Sequence, residues 1–206
     1  MRIKEALEQL RKEKKRKFDQ TIDIIVNLKG VDIRKANISA VLSVPHKVKE
    51  KKVCGFLNKK NDLIKAIAQP EFSKYKDKKE LKNLVKDYDF FIAIPELMPS
   101  VATAFGKVLG PAGKMPSPQL GIIPNEEESS IKAVLDKISK SVKIRAKEAS
   151  IKLSVAKENM KDEEIIENFD TIYNGIVNAL PNKNENVKSV MIKLTMSKPI
   201  KLEIKK

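Results

Sequence analysis

The chain is 206 residues long and carries 42 Lys and Arg against 27 Asp and Glu, a net charge of +15. With 41% hydrophobic residues it can bury the core of one large domain or two small ones, which excludes a globally disordered chain. The cationic excess favours polyanions through counterion release, nucleic acid before an anionic membrane surface, and no apolar run approaches the ~20 residues that span a bilayer.

Residues 2–16 set Ile3, Ala6, Leu7 and Leu10 at helical spacing and become almost wholly basic from Arg11 to Lys17. Cations in a last turn suit the helix dipole, so a solvated helix end is the plain reading of that run. The stretch lacks the apolar block of a secretory signal. Residues 21–28 then alternate, with Ile22, Ile24, Val26 and Leu28 on one face and Thr21, Asp23 and Asn27 on the other, which predicts a half-exposed strand. Residues 38–44 read as a second strand, stopped by Pro45.

The middle of the chain has another texture. Residues 53–57 and 89–94 are short, nearly continuous apolar strands, and 141–145 is a third candidate. Helical segments are predicted between them at 61–68, 77–86, 96–105 and 127–139. Buried apolar strands alternating with helices indicate a parallel α/β layer structure. Near the finish, 150–156 and 188–195 alternate again, with Ile151, Leu153 and Val155, then Val190, Ile192 and Leu194, facing inward. The helix between them opens on Asp162-Glu163-Glu164 and is closed by Pro181.

Neither end has enough apolar surface to fold alone, so the economical architecture is α/β with two domains. A split α+β domain comes from residues 1–51 and 149–206, and a three-layer, Rossmann-like α/β domain at 52–148 is inserted between its halves. The split domain holds the larger share of the positive charge.

Two segments carry the most telling chemistry: Lys17-Phe18-Asp19-Gln20-Thr21 and Lys193-Leu194-Thr195-Met196-Ser197-Lys198-Pro199. Each joins a basic stretch to an alternating run and offers one apolar side chain beside a hydroxyl and a lysine. That combination can hold an irregular nucleic acid: cations for phosphates, hydroxyls for sugar or phosphate oxygens, an apolar group for an unstacked base. The plainer reading makes Phe18 and Met196 ordinary core residues.

Other motifs point nowhere. The Gly- and Pro-rich stretch 106–121 contains Gly113-Lys114, but a phosphate loop needs Gly five residues earlier and Ser or Thr next, where Val108 and Met115 stand. Three prolines there also remove backbone donors. His46 follows Pro45 with no triad partner, Glu126-Glu127-Glu128 suits a helix start, and Asp19 with Asp23 has no second acid motif. The single Cys54 and single His46 allow neither an intrachain disulfide nor a thiol–imidazole zinc cluster. The expectation is a cytoplasmic, reduced, metal-free chain without cofactor or catalytic site.

The residues as a set resemble the large-subunit ribosomal protein one family, the protein of the mobile L-one stalk, in its archaeal form. The similar segments run in the family's order: Lys17 to Asp23, Leu42-Ser43-Val44-Pro45-His46, residues 106–118 with Leu109-Gly110-Pro111 and Lys114-Met115-Pro116-Ser117-Pro118, then Met160 through Glu167-Asn168, and Lys188-Ser189-Val190 through Thr195-Met196. The resemblance implies the two-domain fold with an inserted middle. It implies a ribosomal, non-enzymatic protein, monomeric when free, that binds large-subunit rRNA chiefly through the split domain. It further implies help in releasing deacylated tRNA at the exit site, and repression of translation through a mimic of the rRNA site in the leader or coding region of its own mRNA.

By that resemblance Lys17, Phe18, Thr21 and Asp23 form an N-terminal RNA-contacting patch, Thr195, Met196 and Ser197 a C-terminal one, and Lys157 a basic position at the exit of a strand. Ser197 and Ala156 stand where the family usually has Gly, and a Cβ there limits positive φ and close backbone approach. If the Gly exists to admit RNA, Ser197→Gly should tighten binding or leave it unchanged. Two other functions are weighed against this one. A non-ribosomal RNA-binding or assembly factor of the same fold would not co-sediment with large subunits, and a small α/β enzyme would need the phosphate loop and catalytic groups that the sequence lacks.

Overall fold

The computed structural model describes residues 2–12, 16–32, 38–59, 61, 63–118, 120–146 and 148–203, with the side chains of residues 73, 76 and 78 set aside. In chain order the elements are α1 (Ile3–Arg11), β1 (Thr21–Leu28), β2 (Ser39–Ser43), β3 (Val53–Phe56), β4 (Lys65–Ile67), α2 (Lys78–Asp87), β5 (Phe90–Ala93), α3 (Met98–Ala112) and α4 (Glu128–Ser139). They continue with β6 (Ser141–Arg145), β7 (Ser150–Lys157), α5 (Asp162–Ala179), β8 (Val187–Leu194) and β9 (Ile200–Leu202). The chain is a mixed α/β protein. Its contacts gather into two compact units, Met1–Lys49 with Lys140–Lys206, and Glu50–Ser139.

In the first unit an antiparallel sheet runs in the order β7-β1-β8-β9. Strict alternation decides which face is covered. Ile22, Ile24, Val26 and Leu28 of β1, with Val190, Ile192 and Leu194 of β8, join a core completed by Ala6, Leu7 and Leu10 of α1 and Ile165, Phe169, Ile172 and Ile176 of α5. Burying each such aliphatic side chain is worth roughly 1.5–3 kcal/mol, so the covered face sets the register. Thr21, Asp23, Ile25 and Asn27 occupy the other, half-exposed face.

A buried Asn168 on α5 ties the unit together. Its Oδ1 accepts the His46 N–H at 3.0 Å, and its Nδ2 donates to the carbonyls of His46 and Val155, both at 3.0 Å. Every partner is a backbone group, which offsets the cost of burying the amide. The His46 ring meets Glu167 at 2.8 Å, a surface pair with no nucleophile beside it in the described contacts.

Residues 141–145, which the sequence predicts in the middle sheet, lie elsewhere. Strand β6 pairs antiparallel with β2, from Ser39 opposite Arg145 to Ser43 opposite Ser141, and belongs to the first unit. Lys143 and Arg145 would not suit a parallel strand covered on both faces, whereas a two-stranded ribbon leaves one side for them while Ile144 enters the core.

The second unit holds a parallel three-stranded sheet in the order β4-β3-β5. Phe56 on β3 is fully buried, with the rings of Phe105, Phe72 and Phe91 at 4.9, 5.7 and 5.8 Å. Such ring contacts add to simple area burial. Cys54 beside it is inaccessible, and desolvation pushes its thiol up to about 12, so it stays protonated and inert. The segment expected as a helix at 61–68 contains β4 instead. The Asn61 side chain accepts the Leu63 N–H at 2.8 Å, a local turn that starts a strand parallel to β3.

The Gly- and Pro-rich stretch is also more ordered than a loop. Helix α3 continues through Gly106 and Gly110 to Ala112, with Pro111 in its last turn. Gly113 ends it at φ 70°, where a residue with a Cβ is strained, and the Lys114 N–H closes back on Leu109 O at 3.0 Å. Lys114 Nζ then donates to Val85 O at 2.6 Å and Tyr88 O at 2.7 Å, satisfying carbonyls at the end of α2. The Gly-Lys pair is a device for ending two helices. Gly121 is required by close packing, since a Cβ there would lie 2.9 Å from both Pro116 Cα and Ser117 N.

Candidate nucleic-acid interface

Because β1 runs antiparallel to both β7 and β8, the start of β1 lies beside the ends of the other two. Thr21 stands opposite Lys157, and Ile22 opposite Leu194 and Ala156. Lys17 to Thr21 thus meets Lys157 and Thr195 to Ser197, each more than a hundred residues further along the chain, at one end of one sheet. Among the described residues, Phe18, Leu63 and Met196 are the large apolar side chains left exposed, Phe18 by 53% and Met196 by 59%. Neither Phe18 nor Met196 is a core residue. Lone exposed hydrophobics are ordinary on a protein surface; two of them at one sheet end beside cations and hydroxyls suit stacking on unpaired bases.

The polar groups between them are mutually fixed. The Thr21 and Thr195 hydroxyls lie 2.9 Å apart, Thr195 Oγ1 accepts the Thr21 N–H at 3.1 Å, and the Thr195 N–H donates to Thr21 O at 3.0 Å. Thr21 Oγ1 also reaches Asp23 Oδ1 at 3.3 Å, and Asp23 stands opposite Lys193. Lys157 Nζ is 3.4 Å from Asp19 Oδ2, a half-exposed pair that water screens. Lys17 is exposed. The end of the sheet therefore offers hydroxyls and carboxylates for sugar and base edges, with cations beside them for phosphates.

The expected residues fare differently in detail. Glu13, Lys14 and Lys15 of the basic run lie outside the described residues. Arg11 is occupied within the protein, its Nη2 donating to Asp162 Oδ1 at 2.5 Å and to Met160 O at 3.0 Å, so it joins α1 to the start of α5. Ala156 is buried with its Cβ in the core, and among the described residues Lys183 is the one non-glycine with positive φ. Neither Ala156 nor Ser197 therefore needs a glycine backbone. The Ser197 hydroxyl turns inward, accepting the Leu194 N–H at 2.8 Å.

Gln20 lies inside the Lys17–Thr21 segment, where the sequence alone assigns it no role. It is 3% exposed; its Nε2 donates to Glu158 Oε2 at 3.3 Å and its Oε1 accepts the Met196 N–H at 3.2 Å. The signal was its parity: Gln20 shares the inward phase of Ile22 and Ile24, and a polar residue at a buried position must find partners. Among the described residues no group of three or more His, Cys, Asp or Glu could hold a metal ion, and no helix is long and apolar enough to cross a membrane.

Comparison with known proteins agrees across nearly the whole chain. The model of the Ribosomal protein L1p/L10e family matches residues 10–198. Large ribosomal subunit protein uL1 of Nanoarchaeum equitans is 33% identical over 96% of this chain and 98% of its own length. The proteins of that name from Pyrobaculum islandicum and Archaeoglobus fulgidus are 35% and 34% identical, each over 97% of this chain and over 90% and 96% of their own lengths. A match of this extent, over a chain whose two terminal segments meet as described, has one meaning: the protein belongs to the ribosomal protein L1p/L10e family, whose members are structural and not enzymes.

Proposed function

We propose that this protein is a structural constituent of the large ribosomal subunit in the cytoplasm, and that it binds rRNA of the mobile stalk near the tRNA exit site. The terminal segments act as a split α+β RNA-binding domain, around an inserted three-layer α/β domain. Lys17, Phe18, Thr21, Asp23, Lys157, Thr195 and Met196 carry the contact, with Phe18 and Met196 against unpaired nucleotides. The bound stalk assists the release of deacylated tRNA. The free monomer binds a like structure on its own mRNA and represses its translation. The observation that carries the reading is the joint exposure of Phe18 and Met196 at one end of one sheet. Their relatives' printed names supply the ribosomal setting.

Salt tests the electrostatic half of the reading. Affinity for large-subunit rRNA should fall steeply as salt rises, and Lys17→Ala should reduce the log–log slope by roughly 0.7–0.9 through one lost phosphate contact. An affinity indifferent to salt would contradict it.

A further inference from the structure

The turn that carries Met196 is held by hydrogen bonds along its whole length. Each of its four successive backbone N–H groups has a partner. The Leu194 N–H goes to Ser197 Oγ at 2.8 Å and the Thr195 N–H to Thr21 O at 3.0 Å. The Met196 N–H goes to Gln20 Oε1 at 3.2 Å and the Ser197 N–H to Leu194 O at 3.1 Å. Two of these partners are side chains, Ser197 and Gln20, and both use their hydrogen-bonding groups within the protein. The Ser197 hydroxyl faces its own turn, with the carbonyls of Leu194 and Lys198 at 3.4 and 3.2 Å as places for its proton. Gln20 is buried and braced from behind: its backbone N–H reaches Glu158 Oε2 at 3.4 Å, and its carbonyl accepts the Glu158 N–H at 2.8 Å.

We infer that Gln20 and Ser197 are positioning residues of the RNA interface, forming a bracket that fixes the Leu194–Ser197 turn and presents Met196 already in its bound conformation. The inference rests on the proposed RNA-binding role of this sheet end. Its physical basis is pre-organisation: a turn already ordered in the free protein loses little conformational entropy on binding, and a side chain held outward presents its apolar surface without rearrangement. A glycine at 197 would remove the hydroxyl that holds the Leu194 N–H and loosen the backbone of the turn as well. In this chain the serine supplies by hydrogen bonding an order that a glycine cannot. On this inference Ser197→Gly should weaken binding, where the family resemblance would have it unchanged or tighter.

The test uses the full chain and large-subunit rRNA purified from Archaeoglobus fulgidus ribosomes, with double-stranded RNA of unrelated sequence as the non-specific control. Ser197→Ala should weaken rRNA binding by roughly three- to tenfold, the equilibrium factor of one neutral hydrogen bond, with duplex binding and the salt slope unchanged. Ser197→Thr should restore most of the loss, and Gln20→Met should weaken binding at least as much as Ser197→Ala. Thermal unfolding on the same samples identifies any variant that fails to fold, and the Ser197 pair keeps the test open if Gln20→Met does. The deciding arm is a double-mutant cycle: because the bracket acts through Met196, Ser197→Ala should cost almost nothing further in a Met196→Ala background. Additive losses would show the hydroxyl contacting RNA directly and would overturn the inference. So would full affinity in Ser197→Ala when Met196→Ala alone is weakened. If Met196→Ala binds like the parent chain, the RNA-binding reading of this sheet end fails, and the bracket fails with it.

Discussion

Phe18→Ala and Met196→Ala should each reduce specific rRNA affinity by about 1–3 kcal/mol, the range measured when a side chain stacked on a nucleotide is truncated. Thermal unfolding should scarcely move. Phe18 and Met196 are 53% and 59% exposed and stand outside both hydrophobic clusters, so their truncation opens no cavity. Were they core residues, the same changes would cost about 2–5 kcal/mol of folding stability. Affinity and unfolding measured on one set of samples separate the two. Binding to double-stranded RNA of unrelated sequence, which depends on cations and offers no unpaired base, should remain nearly unchanged, as should the salt slope, because neither substitution alters a charge. A fall in melting temperature with affinity intact would reverse the assignment.

The second large effect lies in the other unit. Phe56 is fully buried, with Phe72, Phe91 and Phe105 around it. Phe56→Ala should cost about 3–5 kcal/mol, a large part of the 5–15 kcal/mol that stabilises a typical domain. The two cores share no residue, one holding Ile24 and Ile192 and the other Phe56 and Phe105. The variant should therefore unfold in two steps, with the Glu50–Ser139 unit melting first. Below that first transition its rRNA affinity should stay within about a factor of two of the parent chain, the scatter expected when independent sites do not couple. An affinity that falls in step with the stability of Phe56→Ala would mean that the inserted unit takes part in recognition.

Much of this arrangement is legible in the order of the residues, for a physical reason. Strand β1 occupies the segment that alternation marked, and β7 and β8 begin within one residue of theirs, because a face of Ile and Val against a face of polar groups admits one register. The joining of Phe18 and Met196 followed from the need of two apolar-poor ends to complete one core. What stayed hidden depends on distant partners or on short elements. The pairing of β6 with β2 spans a hundred residues, and nothing near Ser141–Arg145 announces it. Strands β4 and β9 have three residues each, too few for a period to show. The extension of α3 through Gly106, Gly110 and Pro111 runs against local propensity and is held by Val101, Phe105 and Leu109 in the core. The roles of Gln20 and Ser197 are those of hydrogen-bond partners, which only the three-dimensional arrangement specifies.

On this reading the terminal segments together, without the inserted unit, hold the specific RNA affinity. Its most direct test is the rRNA affinity of a chain joining residues 1–49 to 140–206 through a short linker, measured beside residues 50–139 alone and the full protein, on large-subunit rRNA in one buffer. The joined chain should fold and keep most of the specific affinity, and should lose it on Met196→Ala, while residues 50–139 should bind only as weakly as they bind poly(U). Specific affinity in residues 50–139, with a folded joined chain that does not bind, would put recognition in the inserted unit instead.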